Sequence, residues 1–259
     1  MKIKFLTLNL FEGGKLFDNI LKFLDKEKPD ILALQEVYDG KDKKLAKNLR
    51  SMEVLKQFLN KYHYHFTPEL IVVRDEGKII EGNAIFSKFP ILNSSVIFFS
   101  HPYGEYDRYP EEGDYAKHPK NMHCCSIKIE NKILNACNIH GIWGRDGNDT
   151  KDRIKMSKII VNQIKGKKNV ILAGDFNINY NTKTIKNIEK HLISVFKNQL
   201  ITSFNLKRKD LTASPGYAKA AVDMIFTSPN LEILSKRCPD VDVSDHLPLL
   251  CEIDTSNLE

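Results

Sequence analysis

Apolar residues follow two different periods near the start of the chain, and the two periods alternate. The runs at 2–10 and 31–37 are short and rich in apolar residues, which is typical of buried strands. Between them, at 15–28, the apolar residues fall on one face of a helix, and residues 45–59 repeat that helical spacing. The N-terminal part of the chain therefore predicts the order strand, helix, strand, helix.

The middle of the chain is richer in β-type patterns. We predict strands at 62–74, 79–86, 91–99 and 122–129 and, after a hairpin turn at Asn131-Lys132, at 133–140. Helical patterns at 151–165 and 182–196 and short apolar runs at 170–173, 221–226, 231–235 and 247–253 complete the series. The pattern predicts a single α/β domain over residues 1–254, in which two β-sheets pack face to face with helices outside, followed by a C-terminal tail at 255–259.

Composition places few limits on function. The chain has 259 residues, 42% of them hydrophobic, which is enough to bury a sizeable core. Its apolar runs are far shorter than the roughly 20 residues that span a bilayer, and no secretory leader is evident, so we expect a cytoplasmic protein without a membrane span. The net charge of +6 favours encounter with polyanions, but the lysines are scattered, and a generally lysine-rich composition explains the charge equally well.

The five cysteines give no sign of a metal site or of a disulfide framework. They are odd in number, and no two of them have the CxxC spacing. Cys124 and Cys125 are neighbours in a predicted strand, so their side chains point to opposite faces and cannot form one ligand pair. We expect all five cysteines to be small buried hydrophobic residues.

Acidic residues recur at the ends of the strongly apolar strands. The candidates of this kind, with the polar residues that adjoin them, are Glu36, Asp175, Asn177, Asp223, Asp245 and His246. Each of them alone is better explained as a turn or cap residue than as a functional residue. Together, their charges would need a compensating cation, and oxygen ligands without a cluster of Cys or His favour Mg²⁺, with Mn²⁺ as the alternative, over zinc.

Short stretches along the chain carry a resemblance to a known family. They are Thr7-Leu8-Asn9-Leu10, Leu34-Gln35-Glu36, Gly82-Asn83-Ala84-Ile85-Phe86-Ser87, Asn138-Ile139-His140, Gly174-Asp175-Phe176-Asn177, Val222-Asp223-Met224-Ile225 and Ser244-Asp245-His246. In their order and spacing they resemble the endonuclease/exonuclease/phosphatase superfamily, the group of exonuclease III and deoxyribonuclease I, over essentially the whole chain. The resemblance implies a four-layer α/β sandwich of two packed mixed β-sheets flanked by helices, and a metal-dependent hydrolase of phosphate ester bonds.

The same resemblance implies a division of roles among the acidic residues. Glu36 would bind the metal ion, assisted by Asn9, and Asp245 would complete that site or a second one. Asp175 would orient or deprotonate the attacking water, and Asn177 would hold the nucleophile or a phosphate oxygen.

Two histidines are implied to act on the phosphate. His246 would lie over the scissile phosphate, with Asp223 fixing its tautomer and supporting its positive charge. His140 matches a histidine of the deoxyribonuclease, sphingomyelinase and tyrosyl-DNA phosphodiesterase branches, and we expect it to contact the phosphate. Asn83 would order His140 or the phosphate through its amide, or merely end a turn.

Three further residues are candidates for substrate binding. Trp143, the only tryptophan, would stack on the substrate or pack against its own loop. Arg145 and Arg153 flank that loop and would grip a phosphate oxygen, although a solvated arginine at a helix start is the competing interpretation of Arg153. The long polar loop at 101–121 is a further candidate for substrate contact, and a surface excursion without function explains it equally well.

These observations favour a nucleic-acid phosphodiesterase, either endonuclease- or exonuclease-like or acting on DNA ends, and a monomer. A phosphatase or a phospholipid- or sphingomyelin-type phosphodiesterase is the alternative within the same chemistry. The non-enzyme alternative, a silent binding scaffold, is disfavoured because Asp175 and His246 are both present. An abasic-site specialist is disfavoured as well, because 220–222 has no bulky aromatic residue before Asp223.

Overall fold

A computed structural model describes residues 1–110, 113–212 and 215–258. The strands in these ranges are β1 (Lys2–Asn9), β2 (Ile31–Asp39), β3 (His63–Arg74), β4 (Gly77–Ser87), β5 (Ile91–Phe98), β6 (Glu105–Asp107), β7 (Asn121–Ile129), β8 (Lys132–His140), β9 (Val170–Asp175), β10 (Ile193–Ser194), β11 (Asp223–Thr227), β12 (Glu232–Arg237) and β13 (Leu249–Asp254). The α-helices are α1 (Phe17–Glu27), α2 (Ser51–Phe58), α3 (Lys151–Ile164) and α4 (Lys183–Glu189). Every predicted strand is present to within two residues at each end.

The strands form two mixed sheets that pack face to face. The first sheet has the order β12-β13-β1-β2-β4-β3-β6, and the second has the order β10-β11-β9-β8-β7-β5. Apolar side chains from the inner faces of both sheets, such as Phe5 and Ile127, form the central core. Helices α1 and α2 pack on the outer face of the first sheet, and α3 and α4 on that of the second. The four-layer α/β sandwich is therefore confirmed.

Strand pairing places the candidate residues along one edge of the sandwich. In the first sheet β1 and β2 are parallel, so Asn9 lies beside the end of β2 that carries Glu36. In the second sheet β8 and β9 are parallel with His140 opposite Asp175, and β11 runs antiparallel with Asp223 opposite Asp175. Residues that are far apart in sequence therefore meet at the same strand ends.

Local backbone conformation directs two of these side chains. The pairing of β2 with β4 shifts register between Leu34 and Val37, which is a bulge, and Glu36 within it has a φ of +53°. Asn177 has a φ of +54° directly after β9. Such left-handed conformations are uncommon for residues other than glycine and are found often at functional sites.

Gly174 is required by the packing of the strands. Its φ is +142°, and a Cβ at this position would lie 2.0 Å from the carbonyl oxygen of Ile139 on β8. The missing side chain therefore lets β8 and β9 come close enough to bring Asp175 beside His140.

Two predicted helices are shorter than expected. The pattern at 45–59 begins with a 3₁₀ turn at Lys47–Arg50 and becomes α-helical only in α2. The pattern at 182–196 ends with α4, because Ile193 and Ser194 pair with β11 as a short edge strand. In that segment, hydrogen bonds to β11 replace the helical backbone hydrogen bonds that the apolar pattern predicts.

The expectation that all five cysteines are unbonded is wrong for two of them. Cys124 and Cys137 lie opposite each other on β7 and β8 and form a disulfide bond. The two are 13 residues apart, and their proximity results from hairpin register, which no CxxC-type spacing signals. Cys125 and Cys251 are free and buried, as expected, and Cys238 is free and partly buried.

The C-terminal tail is attached to the fold. Thr255 donates its backbone N–H to the carbonyl of Met1, and Leu258 packs into the central core. Glu259 lies outside the described residues, as do Glu111 and Glu112 of the polar loop. None of the helices in the described ranges has the length and apolar character needed to cross a membrane.

Candidate active site

A pocket of about 640 Å³ opens at the edge where the strand ends meet. It is lined by most of the residues that the sequence assigns to metal binding and catalysis: Glu36, His140, Asp175, Asn177, Asp245 and His246. Asn9 and Asp223 lie directly behind this surface, each hydrogen bonded to a residue that lines it. The fold thus gathers this predicted group at one place.

The side-chain amide of Asn9 joins two carboxylates. Its Nδ2 donates to Glu36 Oε1 at 3.0 Å and to Asp175 Oδ2 at 3.1 Å. Nε2 of His140 lies 4.0 Å from each of the same two oxygens. Carboxylate oxygens that share one small space are the donor chemistry that a hard divalent ion prefers. The residues present therefore fit a divalent metal ion, and Asn9 orients the carboxylates of Glu36 and Asp175.

His246 is held by a buried carboxylate. Its Nδ1 lies 2.8 Å from Asp223 Oδ2, and its Nε2 lies 3.9 Å from both Asp175 Oδ2 and Asp245 Oδ1. Burial alone would lower the pKa of His246, but the charges on Asp223, Asp245 and Asp175 outweigh it and raise that pKa to about 9. The imidazole is therefore cationic at neutral pH, with Nε2 facing the pocket.

His140 contacts a second pair of charged residues, Glu69 and Lys120, in addition to Asp175. Its Nδ1 is 2.9 Å from Glu69 Oε2 and 3.0 Å from Lys120 Nζ. Burial and Lys120 oppose a positive charge on the ring, but Glu69 and Asp175 raise the pKa of His140 above its ordinary value. Nδ1 then donates to Glu69, which leaves Nε2 directed toward Glu36 and Asp175.

Lys209 supplies a cation beside Asp245. Its Nζ contacts Asp245 Oδ2 and lies 4.4 Å from the ring centre of Phe204 and 5.0 Å from that of Tyr217. The Phe204 ring in turn packs edge-on against His246, with centroids 4.7 Å apart. Aromatic faces around an ammonium group stabilise its charge. The lysine is thereby held where an anionic group in the pocket would meet it.

The rim of the pocket combines aromatic rings and arginines. Tyr115 packs edge-on against Trp143, with ring centroids 5.4 Å apart, and Tyr109 is 66% exposed. Arg108 and Arg145 line the same pocket. The long polar loop thus lies beside the site, as the sequence suggested, and so does the loop that carries Trp143.

Two predicted substrate-binding residues lie away from the pocket. Asn83 is fully buried and donates Nδ2 to Glu69 Oε1 at 2.8 Å, so it supports His140 through Glu69 and has no access to a phosphate. Arg153 is also fully buried and donates to the carbonyls of Ile142, Asn148 and Asn177. It therefore ties two loops together. Both expectations for Arg153, that it grips a phosphate oxygen and that it is a solvated residue at a helix start, are wrong.

Sequence reasoning missed Glu69, Lys120 and Lys209. Glu69 interrupts a long β pattern directly after Pro68, and the pairing of β3 with β4 shifts register at that point. A lone acidic residue inside an apolar strand was therefore an available signal for Glu69. Lys120 and Lys209 lie in polar loops, where nothing in the spacing separates them from other lysines.

The chain resembles known proteins in sequence pattern and in fold. The model of the Endonuclease/Exonuclease/phosphatase family matches residues 6–246, and no curated protein sequence matches the chain. Among solved structures, the chain is similar to an endonuclease/exonuclease/phosphatase from Bacteroides vulgatus, with 19% identity, a TM-score of 0.71 and 100% of both chains covered. It is also similar to the mannosyl-6-phosphatase Bt3783 of Bacteroides thetaiotaomicron, with 18% identity, a TM-score of 0.71 and coverage of 97% of this chain and 99% of that one. A third similar structure is TDP2 of D. rerio complexed with single strand DNA product, with 16% identity, a TM-score of 0.70 and coverage of 98% and 99%.

Proposed function

Because this chain belongs to the endonuclease/exonuclease/phosphatase family, whose members are metal-dependent phosphoester hydrolases, we propose that it uses Mg²⁺ to hydrolyse a phosphodiester at the end of a nucleic-acid strand. The observation that carries the proposal is the composition of the pocket. Carboxylates and two histidines form its floor, and aromatic rings and arginines form its rim. The floor suits attack on a phosphate, and the rim suits the bases and backbone next to it.

The residues of the floor would divide the chemistry between them. Glu36, oriented by Asn9, would hold the metal ion, with Asp245 as a further oxygen ligand. Asp175 would orient or deprotonate the attacking water, and Asn177 would hold a phosphate oxygen through its amide. When bound, a divalent ion supplies a Lewis acid that polarises the phosphoryl oxygen.

The cationic histidine would act on the charge that develops during cleavage. A phosphodiester repels hydroxide, and cleavage adds negative charge to the phosphoryl and leaving oxygens. Nε2 of His246 faces the pocket with a proton that it can donate in a hydrogen bond to such an oxygen. Nε2 of His140 would contact a second phosphate oxygen, and Lys209, beside Asp245, would add positive charge.

The shape of the pocket favours a strand end over the interior of a duplex. A volume of about 640 Å³ lies within the range of roughly 300–1,000 Å³ that small-molecule sites occupy. One nucleotide unit can enter such a pocket, whereas an intact duplex presents a broad surface. Stacking on an aromatic residue such as Tyr109 or Trp143 would hold a terminal base without selecting its sequence.

A phosphomonoesterase acting on a phosphorylated sugar is the second candidate. The same volume suits a small phosphate ester, and rings such as Tyr115 can pack against a sugar as well as a base. The similarity to a mannosyl-6-phosphatase, at 18% identity, gives this candidate its support. The two candidates differ in the leaving group and share the proposed roles of Glu36 and His246.

The test is a panel of substrates measured with Mg²⁺, with Mn²⁺ and with chelator. The panel contains single-stranded DNA and RNA, duplex DNA, 5′-tyrosyl DNA, mannose 6-phosphate, inositol phosphates and sphingomyelin. We expect kcat/KM on an oligonucleotide with a free single-stranded end to exceed that on the monoesters by about tenfold or more, a difference of ~1.4 kcal/mol in transition-state binding.

The Asp175→Asn variant, purified in parallel, is the matched control for contaminating nuclease. Faster turnover of mannose 6-phosphate than of any oligonucleotide would replace the proposal by the second candidate. A wild-type protein that turns over nothing with either metal ion would leave only the binding scaffold.

A further inference from the structure

Three side chains with metal-binding chemistry meet between the two sheets, outside the pocket described above. His65 comes from β3 in the first sheet, and His123 and Cys125 come from β7 in the second. One ligand atom from each of the three lies within 4.8 Å of the other two. None of them lines the active-site pocket. The cluster therefore requires an explanation of its own.

His123 is an unusual buried histidine. Its side chain is fully buried, and neither Nδ1 nor Nε2 has a hydrogen-bond partner among the residues that the structure describes. An imidazole withdrawn from water loses the hydrogen bonds that water gave it, and buried polar groups in proteins are normally satisfied. An aliphatic residue would fill this core position at no such cost. A ligand at the ring nitrogen would satisfy the group.

We propose that His65, His123 and Cys125 bind a zinc ion that joins the two β-sheets. Imidazole nitrogen and thiolate sulfur are the donors that zinc prefers in proteins, whereas Mg²⁺ takes oxygen donors. The site is therefore different in chemistry from the carboxylate site of the pocket. The sequence conceals it because His65 lies far from His123-x-Cys125, and no CxxC spacing is present.

The spacing of His123 and Cys125 follows from strand geometry. Alternate residues of a strand point to the same face, so both side chains point from β7 toward the first sheet. An ion centred among three atoms that lie within 4.8 Å of one another is at most about 2.8 Å from each. Zinc bonds of about 2.0–2.3 Å then require each ligand atom to shift by at most about 0.5–0.8 Å. Small rotations of the side chains supply movements of this size.

If one ring nitrogen of His65 binds the ion, the other ring nitrogen still has a hydroxyl partner, whichever of the two binds. Nδ1 lies 3.3 Å from the hydroxyl of Thr67, and Nε2 lies 2.8 Å from that of Ser94. Metal-binding histidines in proteins commonly use the second ring nitrogen in this way, which fixes the ring. The remaining hydroxyl, or a water molecule, can occupy the fourth position of a tetrahedral ion.

The ion has a path to this position. His65 and Ser94 line a shallow surface groove between β3 and β5, together with Asn93 and Tyr64. His65 is only half-buried, whereas His123 and Cys125 are fully enclosed behind it. The site is therefore open on the side of His65 and closed on the side of β7.

Cobalt absorption tests the proposal directly, because a thiolate bound to Co²⁺ gives a charge-transfer band that a carboxylate site cannot give. The protein is titrated with Co²⁺ in the absence of oxygen and of any reductant, so that the disulfide bond between Cys124 and Cys137 stays intact. We expect a band that saturates at one equivalent and disappears when Zn²⁺ is added. The band should be lost in Cys125→Ser and retained in Cys251→Ser, a variant at another free, buried cysteine. Asp175→Asn should retain the band, because it alters only the carboxylate site.

A second variant makes the result independent of any folding defect at the buried cysteine. His65→Asn changes a half-buried residue at the groove and should weaken Zn²⁺ binding by about tenfold or more, while circular dichroism and phosphoesterase activity stay unchanged. A wild-type protein without the thiolate band would overturn the proposal. So would a band that survives in Cys125→Ser, or a Zn²⁺ affinity that His65→Asn leaves the same.

Discussion

Replacing Asp223 by asparagine tests the proposed role of His246. The variant keeps the shape of the side chain and a hydrogen-bond acceptor 2.8 Å from Nδ1, but it removes the charge. Three carboxylates raise the pKa of His246 against the effect of burial, and Asp223 has the largest effect of the three. The substitution therefore lowers the pKa of His246 while the two residues stay in contact.

The size of the effect depends on pH. The pKa of His246 is raised to about 9 from an ordinary value of 6.5, a difference equivalent to ~3 kcal/mol in favour of the imidazolium. Because the pKa is raised, the protonated form is present below about pH 9 and is lost above it. A return to the ordinary value would reduce the protonated fraction at pH 8 from about 90% to about 3%, but would change it by only about 1.3-fold at pH 6. Asp175 and Asp245 remain in the variant, so about 30-fold is the upper limit of this pH-dependent loss.

The assay is kcat/KM with Mg²⁺ from pH 5 to pH 10 for the wild type, Asp223→Asn, His246→Gln and the double variant. We expect the alkaline limb of the profile to move to lower pH in Asp223→Asn. A further loss that is the same at every pH would come from poorer orientation of the ring. The double variant should be no less active than His246→Gln alone, because Asp223 acts through the histidine. If the ratio of wild-type to Asp223→Asn activity is the same at pH 6 and pH 8, the charge on His246 does not take part in the reaction.

Three other substitutions test separate parts of the structure. Glu36→Gln removes a carboxylate that accepts a hydrogen bond from the Asn9 amide, and it should weaken Mg²⁺ binding by about 100-fold in calorimetry. An unchanged affinity for Mg²⁺ would show that Glu36 is not a metal ligand. Lys209→Met removes the cation that competes with Mg²⁺ for Asp245, so half-maximal activity should be reached at about tenfold less Mg²⁺. That change equals ~1.4 kcal/mol, well below the ~4 kcal/mol of a close charge pair, and an unchanged Mg²⁺ dependence would contradict the competition. Arg153→Met leaves the carbonyls of Ile142, Asn148 and Asn177 without this donor and should lower the free energy of unfolding by about 3 kcal/mol in urea. Lys155→Met, on the exposed side of α3, should change that free energy by less than about 0.5 kcal/mol; equal losses would show that the buried guanidinium is not what holds the loops.

Residues at strand ends were the ones that the sequence could identify. Asp175 and His140 follow apolar runs whose period is unambiguous, and parallel pairing then brings their ends together. Arg153 looked equivalent to Arg145, since both flank one loop. The structure separates them because Gly144 leaves room for the Arg153 guanidinium, where a Cβ would lie 2.6 Å from it. That close approach depends on tertiary packing, and no local pattern encodes it.

Contacts between the two sheets were beyond the reach of local patterns for the same reason. Glu69 reaches His140, and His65 approaches His123, only because β3 of the first sheet packs against the second sheet. The disulfide between Cys124 and Cys137 depends likewise on the register of one hairpin. Periodicity fixes which face a side chain occupies, whereas sheet packing fixes which side chains meet.

The central claim is that folding brings Glu36 beside Asp175, where Glu36 holds a divalent ion on which phosphoester hydrolysis depends. Crystals soaked in Mn²⁺ and measured at a wavelength where manganese scatters anomalously test it most directly. We predict an anomalous peak within bonding distance of a carboxylate oxygen of Glu36, beside Asp175 and Nε2 of His140. A fully soaked crystal with no peak among these side chains, or with manganese bound only elsewhere, would contradict the account.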